Sequence, residues 1–377
     1  MRVAYFADAP RIGGAERYLA DVVAGTIAAG HEVAVLSPQP EVLDLVPDAR
    51  RLRVGSDAYA SAPSMAARAA AIARSGPALT RALRSVGPDL VHVNNGGYPG
   101  SDLCRAVVPL AAGAGVPARA MSVHSVPWPR EHSDERVQAA VDGALWRSAH
   151  ALIGATNAVR HGLVDERAMP ESLYVKIPYG VREPGGRDRA AALRERLAPG
   201  GELLLGMVSG TADAEKGHTV LVEALAHAGG DARAVFVGAH PGDLVERLIA
   251  DRGLGDRVTI AGRVPEVGPY LHAIDALVVP STAYESLPLT ILEAMGAGRA
   301  VIASRLSGIP EAVTDGDTGC LFEPGDVEAL GDLIEGAAGN RHGLRAMGER
   351  GRARWEERFS LSAMTRSVLA LYERLTR

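Results

Sequence analysis

The chain has 377 residues, 47% of them apolar and 23% charged, with a formal net charge of −5. That length exceeds one hydrophobic core, so two domains are expected, of a composition ordinary for a soluble globular enzyme. The acidic balance gives no electrostatic footing for DNA or RNA, and Cys104 and Cys320, far apart and without metal-ligand spacing, point to a reduced, cytoplasmic compartment.

Short runs rich in Val, Ile and Leu alternate with Ala-rich helical patterns along almost the whole chain, the sequence signature of parallel βαβ units. The pattern predicts strands over residues 2–8, 31–37, 89–95, 118–125, 151–156 and 173–178 in the first half. In the second half it predicts strands over 202–209, 232–238, 257–263, 276–281 and 300–305. Breakers crowd residues 177–186 and read as a linker with the cut near Val181. The expected organisation is therefore two doubly wound α/β domains, 1–181 and 182–358, with a final helical segment 359–377 that crosses back onto the first. The start of the chain is too short in apolar residues for a signal peptide, and the apolar run 106–121 is interrupted by Pro109 and Pro117, so it predicts no membrane span. Between Pro63 and Gly87, Arg68, Arg74, Arg81 and Arg84 form a basic segment without acids, expected to be a solvated face broken at Gly76-Pro77, with at most peripheral membrane contact.

The stretch Tyr284 to Gly298 carries the most information. The strand over 276–281 delivers Glu285 to the carboxyl edge of the sheet, where α/β sheets bind ligands. Pro288 suits the first turn of a helix, which puts Glu293 about one and a half turns inside it. The free amides of Leu289 and Thr290 then make an anion site between the two acids. Carboxylates for hydroxyls beside amides for phosphate suggest a sugar nucleotide.

Other strand ends supply partners. Gly13 and Gly14 follow the first strand, either as a turn needing positive φ or as a place for backbone to approach a ligand. Lys216 ends a loop after the strand at 202–209, where a cation neutralises a departing diphosphate or is simply solvated. His124 stands at the end of the strand 118–125, while alternation is expected to bury His92. The loops 94–101 and 126–130 place Asn95, Tyr98 and Trp128 as acceptor candidates, ordinary βα turns being the alternative.

With Gly13 to Glu16, Lys216-Gly217, two glutamates separated by seven residues, Gly308 to Glu311 and Asp315 to Gly319 in this order, the chain resembles the retaining glycosyltransferases of the two-Rossmann-domain (GT-B) fold, group 4 family. The resemblance covers nearly the whole chain. It implies two doubly wound Rossmann-like domains facing a central cleft, the first for the acceptor and the second for the donor. It implies an enzyme that moves a sugar, with retention, from a nucleoside diphosphate sugar to a small-molecule or lipid-linked acceptor, without metal or cofactor. Glu285, His124 and Lys216 become the catalytic candidates. Gly13, Gly14, Ser286, Leu287, Leu289 and Thr290 are assigned to the donor, and Glu293 to its ribose. Thr211 stands where the family commonly has an arginine, and Arg263 is the candidate to supply that second cation. The same fold also serves sugar-nucleotide epimerases and enzymes that join non-sugar rings, and a nucleotide-sugar binding protein is a third reading. A nicotinamide oxidoreductase fits worst, because the glycine fingerprint is incomplete. The Ala- and Arg-rich composition hints at a bacterial source of high GC content.

Overall fold

The computed structural model describes residues 1–9, 12–54, 65–128, 135–211, 213–230, 232–283 and 285–377. Tyr284, Pro129 and Arg130, singled out in the sequence, lie outside these residues, as does the side chain of Arg68. The chain divides into two compact units, Met1–Tyr179 with Leu361–Arg377, and Gly180–Ser360. Among the described residues, no helix is long and apolar enough to cross a membrane.

The first unit holds β1 (Arg2–Ala7), β2 (Glu32–Ser37), β3 (Arg50–Arg53), β4 (Leu90–Asn95), β5 (Ala118–Val123), β6 (Ala151–Gly154) and β7 (Tyr174–Lys176). They form one sheet in the order β3-β2-β1-β4-β5-β6-β7, with every pair parallel. The second unit holds β8 (Leu203–Ser209), β9 (Ala232–Gly238), β10 (Val258–Gly262), β11 (Ala276–Val279), β12 (Ala300–Ser304) and β13 (Gly319–Phe322). Their order is β10-β9-β8-β11-β12-β13, again all parallel. Strand order reverses between β1 and β4 in one unit and between β8 and β11 in the other. At such a switch point the connections leave in opposite directions and open a crevice at the strand carboxyl ends.

Two strands carry no apolar run to predict them. Arg-Arg-Leu-Arg in β3 is an edge strand whose charges keep the sheet edge from pairing with another chain. β13 has four residues and starts at Gly319, where a Cβ would lie 2.2 Å from the carbonyl oxygen of Val301, so only glycine lets it approach β12. The break expected at Gly76-Pro77 is absent, since one helix runs from Met65 to Val86 with Pro77 inside it. Proline disfavours a helical residue before it by crowding that residue's Cβ, and Gly76 has none. Leu79, Leu83 and Val86, all buried, anchor the half that follows.

The two faces of the first sheet differ. One carries Ala4, Phe6, Val91, Val93, Met121 and Val123 into an apolar core with Leu79, Leu103 and Val107. The opposite face carries Tyr5, His92 and Ser122, each no more than 1% exposed. Tyr5 OH meets Thr26 Oγ1 at 2.7 Å, and His92 Nδ1 bonds Tyr372 of the last helix, Leu361–Thr376. That helix also packs closely on Gly14–Ala28, because a Cβ at Gly25 would stand 2.5 Å from Thr365 Cγ2.

Candidate active site

In the second unit the loop after β8 and the loop after β11 meet at the switch point. The chain leaving β8 makes a tight turn at Ala214–Lys216, then passes through Gly217 with φ 77° and ψ 28° into the helix His218–His227. A left-handed residue there turns the chain sharply after Lys216. The loop after β11 is fixed from two sides: Thr282 N donates to Glu215 O at 2.8 Å, and Ser304 Oγ donates to Ser281 O at 2.6 Å. Glu285 follows, only 8% exposed, and its Oε1 takes Lys216 Nζ at 2.7 Å and Ser281 Oγ at 2.9 Å. A carboxylate this deep is tolerated because cation and hydroxyl both reach it.

Beyond Glu285, Ser286 Oγ is buried with no hydrogen-bond partner among the described residues, and Leu287 is 5% exposed. The helix spans Leu289–Gly296 with Pro288 as its N-cap at φ −61° and ψ 122°, one place earlier than the first-turn position expected of the proline. Leu289 and Thr290 therefore open the helix, and their amides are among those a helix leaves without an intrahelical acceptor. Glu293 is half-buried on the same helix. Thr211 is exposed, its carbonyl accepting from Ser209 Oγ at 2.6 Å. The guanidinium of Arg263 reaches that loop, donating to Gly210 O at 3.4 Å.

In the first unit Gly13 and Gly14 are exposed at the end of the β1 loop, and neither takes a positive φ. Backbone geometry therefore does not demand glycine, and a Cβ at Gly13 would stand in ordinary contact, 3.5 Å from Glu16 Oε2. Gly13 N donates to Glu16 Oε2 at 2.8 Å, fixing the helix start. His124, just past β5, is half-buried, with Nε2 2.8 Å from Asn94 Oδ1 and Nδ1 3.2 Å from Tyr179 OH. Burial pushes its pKa down to about 3, so the ring is neutral. Asn94 in turn donates from Nδ2 to Ala15 O at 3.1 Å, which joins His124 to the glycine loop. The sequence places Asn94 both in the strand 89–95 and at the start of the loop 94–101, without a role in the site. Its place on β4, two residues after His92 on the same face, was the available signal.

Two acceptor candidates are buried and hydrogen-bonded within the first unit. Tyr98 is 1% exposed and donates to Asp142 Oδ1 at 2.5 Å, inside a cluster where Asp142 also faces Arg167 and Arg105. Burial, with the neighbouring Asp142 carboxylate, holds the Tyr98 phenol protonated. Asn95, also 1% exposed, donates to Pro99 O at 3.3 Å and accepts from Ser101 N at 3.1 Å, so it staples its own loop. Trp128 is 60% exposed, its backbone held by Tyr98 O at 3.0 Å and by Arg167 Nε at 2.8 Å.

The chain matches two family models. Residues 13–180 match the glycosyl transferase 4-like domain, and residues 202–340 match glycosyl transferases group 1. It is 28% identical over 278 residues to an alpha-D-kanosaminyltransferase of Streptomyces kanamyceticus, covering 69% of this chain and 71% of that protein. It is 29% identical over 219 residues to an MMP alpha-(1->4)-mannosyltransferase of Mycolicibacterium hassiacum, covering 56% of this chain and about half (51%) of that protein. Among solved structures, a glycosyltransferase from Rickettsia africae superposes with a TM-score of 0.86 at 21% identity, over 100% of this chain and 98% of that one. Anabaena HepE in complex with UDP-glucose superposes with a TM-score of 0.78 at 20% identity, over 99% and 100%. Two parallel-sheet units, the two domain matches and these folds agree: the chain belongs to the group 4 family of glycosyltransferases, with the GT-B fold.

Proposed function

We propose that this protein transfers a sugar from a nucleoside diphosphate sugar to a small-molecule or lipid-linked acceptor, with retention of anomeric configuration. The observation that carries the reading is the meeting of Lys216 and Glu285 at the switch point of the second sheet, beside the helix start at Leu289 and Thr290. The donor class is supported by HepE, which was solved with UDP and with UDP-glucose.

In this reading the amides of Leu289 and Thr290 and the Lys216 ammonium hold the diphosphate and stabilise the charge that develops as the glycosidic bond breaks. Arg263, already at the Gly210 carbonyl, supplies the second cation that Thr211 does not. Ser286 Oγ, buried and unpartnered, gains a hydrogen bond from the ligand. Glu293 holds the ribose, while Glu285 and His124 orient the transferred sugar. Gly13 and Gly14 leave room for it. The acceptor hydroxyl attacks the anomeric carbon from the face the diphosphate leaves, and the leaving phosphate oxygen takes its proton. No side chain forms a covalent intermediate, and no metal or cofactor is required. The reaction runs in the cytoplasm of a bacterium, consistent with Cys104 and Cys320 being free thiols.

Donor consumption across a panel of nucleoside diphosphate sugars, with the anomeric configuration of the product read by NMR, tests the reading. Retention, with turnover lost in Glu285→Ala and Lys216→Ala, is expected. Undiminished turnover in both variants, or an altered sugar nucleotide released without an acceptor, overturns it.

A further inference from the structure

Asn94, the last residue but one of β4, pairs with Ser122 of β5, two residues before His124, and its carboxamide is fixed at both ends. Nδ2 donates to the carbonyl of Ala15 at 3.1 Å. The amide oxygen cannot take that place, because two acceptors would then face each other without a proton. Oδ1 is therefore the atom 2.8 Å from His124 Nε2, and since a carboxamide oxygen only accepts, Nε2 carries the hydrogen.

The other nitrogen follows from charge. His124 is neutral, and a neutral imidazole has one N–H, so Nδ1 keeps its lone pair. The groups facing the ring do not oppose this. Tyr18 of the helix Gly14–Ala28 packs edge-on at 4.6 Å between ring centroids, and Tyr179 stacks at 5.5 Å. Burial raises the Tyr18 pKa to about 12, and burial, with repulsion between the two rings whenever both would be protonated, lowers that of His92 on β4 to about 3, so neither is charged near neutral pH. Nδ1 meets the Tyr179 hydroxyl at 3.2 Å, but that hydroxyl also lies 3.0 Å from the carbonyl oxygen of His124. Tyr179 has a second acceptor to turn to, so its place at Nδ1 is exchangeable. Nε2–H is committed to Asn94.

We propose that Asn94 is a positioning residue that sets the tautomer of His124, so that Nδ1 is presented as a hydrogen-bond acceptor to a substrate hydroxyl. This rests on the glycosyl-transfer reading. It adds that the imidazole accepts a hydrogen bond without taking the proton, which leaves the proton for the departing phosphate.

The test uses the full chain labelled with 15N-histidine and long-range 1H–15N correlation spectra, with His124 assigned by its loss in His124→Gln. The expected wild-type pattern is a protonated Nε2 and an unprotonated Nδ1 from pH 8 to pH 6 (roughly the window above the depressed value). In Asn94→Ala the ring should become a mixture of tautomers, with kcat/KM lower by about tenfold. In Asn94→Asp the new carboxylate should stabilise the imidazolium and raise the titration midpoint. A protonated Nδ1 in the wild type overturns the proposal whether or not Asn94→Ala folds, and so does an unchanged tautomer in Asn94→Ala. The expected tautomer in a protein that transfers no sugar from any donor upholds the role of Asn94 in fixing the ring and counts against the proposed function instead.

Discussion

Lys216 Nζ and Glu285 Oε1 stand 2.7 Å apart, although 69 positions separate the residues in the chain. Strand order makes the pair, because β8 and β11 are neighbours at the reversal and their carboxyl ends release the two loops side by side. The lysine has two possible partners of like charge, the carboxylate it now holds and a diphosphate. If it changes partner on donor binding, Glu285 is released toward the sugar. Glu285→Gln should therefore bind free nucleoside diphosphate several-fold more tightly, because an amide holds an ammonium less strongly than a carboxylate does. The same variant should lose about 10²-fold or more in turnover, as should Lys216→Met, which should also bind the diphosphate more weakly. Calorimetry with the diphosphate and donor-consumption rates measure both. Weaker diphosphate binding by Glu285→Gln would show that the lysine does not exchange.

Gly217 is where this geometry is most exposed to a single methyl group. Its φ of 77° is left-handed, and a Cβ would lie 2.0 Å from the carbonyl oxygen of Pro280. Left-handed backbone costs an alanine roughly 1–2 kcal/mol, and the clash adds to this by pushing on the segment that leads to Ser281 and Glu285. Gly217→Ala is expected to lower the thermal midpoint by several degrees and to reduce turnover at least tenfold. Gly229→Ala is the control, because φ is 72° there and nothing lies within 4 Å of where the methyl group would stand. It should lower stability by only the left-handed cost, roughly 1–2 kcal/mol, and leave turnover as it is. Equal loss of turnover in the two variants would detach Gly217 from the site.

The parallel architecture was legible because buried strands such as Leu203–Ser209 and Ala300–Ser304 are continuous apolar runs between helical patterns. β3 and β13 were not, the one because an edge strand need not be apolar, the other because four residues carry too little pattern. In the site, spacing put Glu285 before a helix and Glu293 on it, and the family resemblance singled out Lys216, but their partners were not legible. Ser281 reaches Glu285 from four residues away, and Asn94 reaches His124 from thirty. Tyr98 shows the converse. An aromatic beside amides in a loop looks like a ligand platform, and only the buried Asp142, forty-four residues on, reveals that its hydroxyl is already taken.

The polar face of the first sheet should make stability depend on pH. His92 and His124 are both held to pKa values of about 3 by burial, against 6.5 for the free group. Below pH 6.5 the unfolded chain takes up protons that the folded chain does not. Their contribution is complete above 6.5 and is lost progressively as pH falls toward 3, by up to about 1.4 kcal/mol per pH unit for each histidine. Urea unfolding at pH 7 and pH 5 should show lower stability at pH 5, with a smaller difference in His92→Gln. Equal pH dependence in wild type and variant would mean that His92 titrates normally in the fold. Tyr372→Phe should cost roughly 1–3 kcal/mol, because it removes the partner of His92 Nδ1 and the hydroxyl 3.1 Å from Tyr5 OH.

Trp128 and Tyr98 are joined through the Trp128 amide and the Tyr98 carbonyl, 3.0 Å apart, and should nevertheless behave as opposites. The indole is 60% exposed, so removing it should change stability by only about 0.5 kcal/mol. If it stacks on the acceptor, Trp128→Ala should raise the acceptor KM by about tenfold and leave the donor KM unchanged. Tyr98→Phe takes a hydroxyl from buried Asp142, which keeps Arg167 at 3.4 Å and Arg105 at 3.7 Å. That change should lower stability by about 1–3 kcal/mol without a selective effect on the acceptor KM. Initial rates with each substrate varied in turn, alongside thermal midpoints, separate the two. An acceptor KM unmoved by Trp128→Ala would leave the indole as exposed surface and send the search for the acceptor site to other loops at that sheet edge.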